Sequence, residues 1–95
     1  MMKVVWSPRA IEHLIAVRAY IAQESPDSAA RVAARILAGV EQLAQYPNIG
    51  RPGRVPGTRE MVIARTPYIL PYRVRRNRIE IIAVFHGRQR WPELL

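Results

Sequence analysis

The stretch 68–86, YILPYRVRRNRIEIIAVFH, decides the fold. Two apolar-rich runs flank Arg76-Asn77, which reads as the turn of a β-hairpin. Arg75 then faces Arg78, and the remaining pairs follow from that register. One face carries Tyr68, Leu70, Tyr72 and Val74 opposite Phe85, Ala83, Ile81 and Ile79, all apolar or aromatic. That face needs a cover. The other face sets Arg73 beside Glu80 as a favourable cross-strand pair, with Arg75 beside Arg78 at the tip. Pro71 has no N–H to give to the ladder, so a bulge or a shifted pairing is expected near it.

Working outward, residues 47–57 (PNIGRPGRVPG) read as a loop by composition, and 58–65 as a third β-type run. The cover for the sheet lies upstream. Ser7-Pro8 opens a helix over about 8–24, with Ser7 capping the free N–H groups and Pro8 in the first turn. Its apolar positions are Ile11, Leu14, Ile15, Ile21 and Ala22. Ser25-Pro26 repeats the signal, and Asp27 complements the helix dipole. Ala29, Val32, Ala33, Ile36, Leu37, Val40, Leu43 and Ala44 form a stripe that ends at Tyr46-Pro47. Val4-Val5-Trp6 reads as a short first strand. The expected architecture is α+β, in the order β-α-α-β-β-β: a helical hairpin packed on a mostly antiparallel, about four-stranded sheet. At 95 residues the chain has room for one domain, residues 1–95.

Charge narrows the partners. The chain holds 15 basic and 7 acidic residues, net +8, and the excess lies in residues 51–95, where ten arginines meet only Glu60, Glu80 and Glu93. Such a field favours anionic partners. With no cysteine there is no disulfide or thiolate metal site. The carboxylates and histidines show no metal spacing, and no glycine motif cradles phosphate, so no cofactor is expected. The longest apolar run, 81–85, is far below the roughly 18 residues of a membrane span. A cytoplasmic protein is the expectation.

Several pieces together resemble the RelE/ParE superfamily of toxins. They are Trp6-Ser7-Pro8, the alanine-rich second helix, 43–51 (LAQYPNIGR), 57–60 (GTRE), 67–74 (PYILPYRV) and 84–92 (VFHGRQRWP). The resemblance implies a bacterial type II toxin that arrests growth, and a cognate antitoxin protein. The superfamily divides in function. Its RelE-like branch cleaves mRNA on the ribosome with basic groups, a middle-strand arginine and a C-terminal Tyr or His. Its ParE-like branch poisons DNA gyrase and lacks that set. Here Ile69 stands where the nuclease branch commonly has arginine, so the resemblance tilts toward the ParE-like branch.

RNA cleavage of that kind needs a base for the 2′ proton, an acid for the leaving 5′ oxygen and fixed positive charge. His86, Arg88, Arg90 and Glu60 are the candidates if the chain is a nuclease. The bland reading of His86 is a residue that packs at the end of the last strand. Candidate target-binding residues are Arg51, Arg54 and Arg59 around the loop, Arg73, Arg75 and Arg78 on the hairpin, and Trp91 in the tail. Simple solvation is the bland alternative for the arginines, and folding the tail over the sheet edge for Trp91. His13 reads as an exposed helix residue. Three functions stay open: a gyrase poison, a ribosome-dependent mRNA endonuclease, and a harmless basic nucleic-acid-binding domain of the same fold.

Overall fold

A computed structural model describes residues 1–89. The elements are β1 (Lys3–Trp6), α1 (Pro8–Ala22), α2 (Pro26–Gln45), β2 (Arg51–Pro52), β3 (Arg59–Val62), β4 (Tyr68–Val74), β5 (Arg78–Ile81) and β6 (Phe85–His86). Both serine caps form as expected: Ser7 Oγ accepts from Ala10 N and Ser25 Oγ from Ser28 N. Both helices carry proline in the first turn. No described helix is long and apolar enough to cross a membrane.

The strands form one sheet in the order β1-β5-β4-β3-β2, with β6 also pairing β4. Neighbours run antiparallel except β1, which lies parallel to β5 with Lys3 beside Arg78 and Trp6 beside Ile81. The α+β expectation holds, with two additions. The loop 47–57 contains the short strand β2, and the expected last run, 78–86, is broken into β5 and β6. Helices α1 and α2 pack on each other, and the main core lies between them and the sheet. Ile36, Leu43, Leu70, Tyr72, Ile79 and Ile81 are fully buried there.

The break in the last strand follows from Pro71. Tyr72 pairs with Ile81 and Val74 with Ile79, as the hairpin register demands. Beyond Pro71, Ile69 pairs with Phe85 and Tyr68 with His86, so residues 82–84 hold one residue too many. The proline carbonyl still accepts from Ile82 N at 2.9 Å, but it has no N–H to return, and the ladder slips. Side-chain alternation therefore shifts by one. Ala83 and Phe85, expected on the helix-covered face, gather instead with Val55 and Ile82, and Val84 enters the main core.

Two further expectations are corrected on the helices. Helix α1 turns Ala10, Leu14, Val17 and Ile21 inward, leaving Ile11 and Ile15 exposed; Leu37 of α2 is exposed as well. A helix lying on a single layer buries only one arc of its circumference, and the apolar arc here is wider than the contact. His13 is half-buried rather than exposed. Its Nδ1 accepts from Val84 N at 3.2 Å, and its ring lies 5.0 Å from that of Phe85, so it pins α1 to the broken segment.

Burial, then the nearby Arg9 charge, hold the His13 pKa below its ordinary 6.5, against a smaller opposing effect of Glu12. Protonation would also remove the acceptor. A depressed folded-state pKa means the contribution is complete above the unfolded value and is lost as pH falls through the window just below it. The expected loss is that of one hydrogen bond, about 1 kcal/mol. His13→Gln keeps an acceptor without the titration. The stability difference between wild type and this variant should change between pH 7.5 and pH 5, read from paired thermal melts; a constant difference would refute the assignment.

Candidate target-binding surface

The residues around the Gly/Pro-rich loop are held by a buried tyrosine. Tyr72 lies in the middle of β4 with its hydroxyl aimed at the chain that leaves α2. It donates to Pro47 O at 2.8 Å and accepts from Gly50 N at 2.9 Å. Arg59, beside Tyr72 in the ladder, donates from Nη1 to Gly50 O at 2.8 Å and to Asn48 O at 3.2 Å. Its guanidinium is thus engaged with loop carbonyls. The Tyr72 pKa is raised chiefly by burial, so the neutral hydroxyl that donation to Pro47 O requires is the stable form.

Behind this staple lies Glu60, only 1 % exposed. Arg51 Nη2 donates to Oε1 at 3.2 Å, and Arg54 N donates to Oε2 at 2.9 Å with Arg54 Nε 3.6 Å away. Both guanidinium groups remain partly open to solvent. The loop between them and β3 closes through Gly53 N donating to Thr58 O at 2.8 Å, with Gly57 in the left-handed region at φ 81°. Arg54 Nη1 also donates to Gln89 O at 3.2 Å, which brings the tail against this loop. The structure therefore joins three of the candidates, Arg51, Arg54 and Glu60, into one cluster.

The hairpin candidates form a second cluster. The ladder does set Arg73 beside Glu80, but the Glu80 carboxylate goes elsewhere. Arg75 Nε meets one oxygen at 3.2 Å, and Arg78 Nε and Nη2 meet the other at 3.1 and 3.0 Å. Hydrogen bonds from Arg75, then from Arg78, hold the Glu80 pKa below the usual carboxylate value. The expected Arg73–Glu80 ion pair is replaced by these two. Guanidinium groups at the turn end of the hairpin reach the carboxylate, and Arg73 remains half-buried without an ion pair among the described residues.

The tail cluster is smaller. His86 Nδ1 accepts from Arg88 N at 3.2 Å, while His86 N donates to Gln89 Oε1 at 2.8 Å. Its ring stands edge-on to Tyr68 with 5.7 Å between centroids. With Nδ1 occupied as an acceptor, the neutral imidazole carries its proton on Nε2. Arg88 is exposed. Arg90 and Trp91, both named as candidates, lie outside the described residues. Ile69 is buried, opposite Phe85.

What the sequence reading misses is the staple. Strand alternation puts Tyr72 in the core, and composition puts Arg59 among solvated charges; the only further signal is a tyrosine hydroxyl, shared with Tyr68, on an apolar strand face. Such a group needs buried partners, and Pro47 and Gly50 supply them.

The profile described as ParE toxin of type II toxin-antitoxin system, parDE, matches residues 4–91. A Sinorhizobium fredii protein named "Putative toxin Y4kP" is 50% identical over 93 residues, covering 98% of this chain and 96% of its own. "Toxin RelE2" of Caulobacter vibrioides is 38% identical over 87 residues, covering 92% and 97%. Among solved structures, a chain of the chromosomal ParDE toxin–antitoxin system from P. aeruginosa superposes with a TM-score of 0.80 at 30% identity, over 90% of this chain and 96% of that one. A helical hairpin on a proline-broken sheet, with likeness running through nearly its whole length, makes this chain a member of the ParE toxin family of type II toxin–antitoxin systems.

Proposed function

We propose that the chain disables DNA gyrase by binding it, and that a cognate antitoxin restrains it. Position 69 carries the reading. The strand position at which the nuclease branch commonly bears arginine holds an isoleucine that is buried and paired with Phe85, so no guanidinium reaches a phosphate from there. Two other features agree with it. Glu60 is enclosed with both oxygens engaged, which removes the alternative base from contact with a bound 2′-OH. His86 has one nitrogen committed to Arg88 N. In this reading Arg51, Arg54, Arg88 and the tail residues Arg90 and Trp91 meet the target, while Arg59 shapes the loop that presents them.

An antitoxin fits the exposed apolar residues Ile11, Ile15 and Leu37, and the open groove of about 320 Å³ between α2 and β3, framed by Arg35 and Arg65. An amphipathic, acidic segment matches both features. Its binding would raise the toxin's stability by mass action.

Induced expression of the free chain is expected to stop DNA replication and raise the SOS response while translated messages stay intact. Codon-phased cuts mapped by primer extension would replace this reading with the ribosome-dependent nuclease. Normal growth despite accumulation of the folded chain would leave the harmless nucleic-acid-binding domain.

A further inference from the structure

The outer corner of the sheet, where β1 meets the β4–β5 hairpin, gathers Arg73, Arg75 and Arg78, candidate target-binding residues that the gyrase proposal leaves unassigned. Lys3 on β1, Arg78 on β5 and Arg75, just past the end of β4, stand abreast: Lys3 is the ladder partner of Arg78, and Arg75 N donates to Arg78 O at 2.8 Å. Partners across a sheet have their backbones only about 4.8 Å apart. The next row on the same face is Val5, Glu80 and Arg73. Arg76 occupies the turn. Among the described residues, five cations thus share one small surface with a single carboxylate, Glu80, which pairs with Arg75 and Arg78. Among the described residues, Lys3, Arg73 and Arg76 make no ion pair.

Like charges set side by side in a ladder oppose folding. Guarding a sheet edge explains Lys3 on the edge strand β1. It does not explain Arg73 on β4, or Arg75 just past the end of that strand, two strands in from that edge. The chemistry of the corner selects among anionic partners. Protein interfaces are anchored by buried aromatic residues, and single-stranded nucleic acid is held by aromatic stacking. Among the described residues this corner offers neither: its apolar members are the partly exposed Val5 and the neighbouring Ile82. What it offers is guanidinium groups on a rigid sheet, four of the five cations being arginine. Such groups contact phosphate oxygens without reading sequence.

We infer that the β1/β4–β5 corner binds the phosphate backbone of duplex DNA, independently of base sequence. The site stands apart from the gyrase proposal, since it needs only DNA.

Arg73 and Arg76 are the residues to change, because neither makes an ion pair among the described residues. The probe is a short mixed-sequence DNA duplex titrated with the full chain and followed by fluorescence anisotropy over a range of salt. Wild type should bind with an affinity that falls steeply with salt. Arg73→Gln/Arg76→Gln should weaken binding about tenfold or more at low salt and flatten the log–log salt slope by about 2, near 0.9 for each phosphate no longer neutralised. Arg18→Gln/Arg31→Gln removes the same net charge from the helices and should leave that slope nearly unchanged. Equal effects of the two double variants, or no duplex binding at low salt, would overturn the inference. So would displacement of the duplex by polyglutamate at matched charge, which would mark the corner as a seat for acidic protein. A chain that fails to bind DNA yet still inhibits gyrase defeats this site alone; one that binds DNA and spares gyrase defeats only the gyrase proposal.

Discussion

Replacing Arg51 and Arg54 together by alanine is expected to destabilise the fold by about 3 kcal/mol or more, the scale for stripping charge partners from a buried ion. The carboxylate of Glu60 is 1 % exposed, and both guanidinium groups lie against it from the open side of the loop. Removing them leaves the buried charge to the backbone N–H of residue 54 and its remaining contacts. Glu60→Gln should cost less, because an amide oxygen still accepts from Arg54 N while the charge to be compensated disappears. For a chain of this size, 3 kcal/mol corresponds to a fall in Tm of roughly 12 °C or more. Thermal melts of the two variants give the comparison. If the arginine pair can be removed with little change in Tm, or if Glu60→Gln is the worse substitution, the buried carboxylate does not organise this loop.

Gly50→Ala should be comparably damaging, by about 2–6 kcal/mol, for a different reason. A Cβ at this position would stand 2.6 Å from the Tyr72 hydroxyl, 2.7 Å from its ring and 2.9 Å from the Glu60 carbonyl. Neither neighbour yields easily: the ring is fully buried and the carbonyl belongs to β3. Overpacking of this kind costs about 1–3 kcal/mol, and displacing the hydroxyl adds a buried hydrogen bond's worth, about 1–3 kcal/mol. Tyr72→Phe isolates the second part. A double variant, Gly50→Ala/Tyr72→Phe, should be less destabilised than the two single effects summed, since the missing oxygen relieves the closest contact. Strict additivity in chemical denaturation would show that the clash is not what matters.

These two predictions concern the part of the molecule that is least legible from residues alone. The hairpin is readable because a two-residue turn and strict alternation fix every partner as far as Pro71, and the proline itself announces the fault. The consequence of the fault is not readable. A slip of one residue turns every later side chain to the other face, so Phe85 and Ala83 are misplaced by the same rule that places Ile79 and Ile81 correctly. His13 is misread in turn, because its partner, Val84 N, exists only where the strand breaks.

Charge behaves similarly. The excess in residues 51–95 is plain, but the destinations of individual guanidinium groups depend on reach. Glu80 is taken by Arg75 and Arg78, though Arg73 is its ladder neighbour. Nothing local in Gly57-Thr58-Arg59-Glu60 says that a loop will fold Arg51 and Arg54 over the last of these residues. The helices are the easy part. Serine-proline at both starts and a proline soon after the second end mark their limits within two residues.

The parallel pairing of β1 with β5 has a consequence for the birth of the protein. Ser7, at the exit of β1, bonds to Ile82, 75 positions later, and Lys3 waits just as long for Arg78. The earliest-made strand therefore emerges from the ribosome with no mate, and the helical hairpin precedes the sheet it must cover. Pairing at so great a sequence separation slows folding. A newborn toxin thus passes through an unfinished interval with Val4 and Trp6 uncovered, during which chaperones, proteases and any waiting neutraliser compete for it before it can do harm.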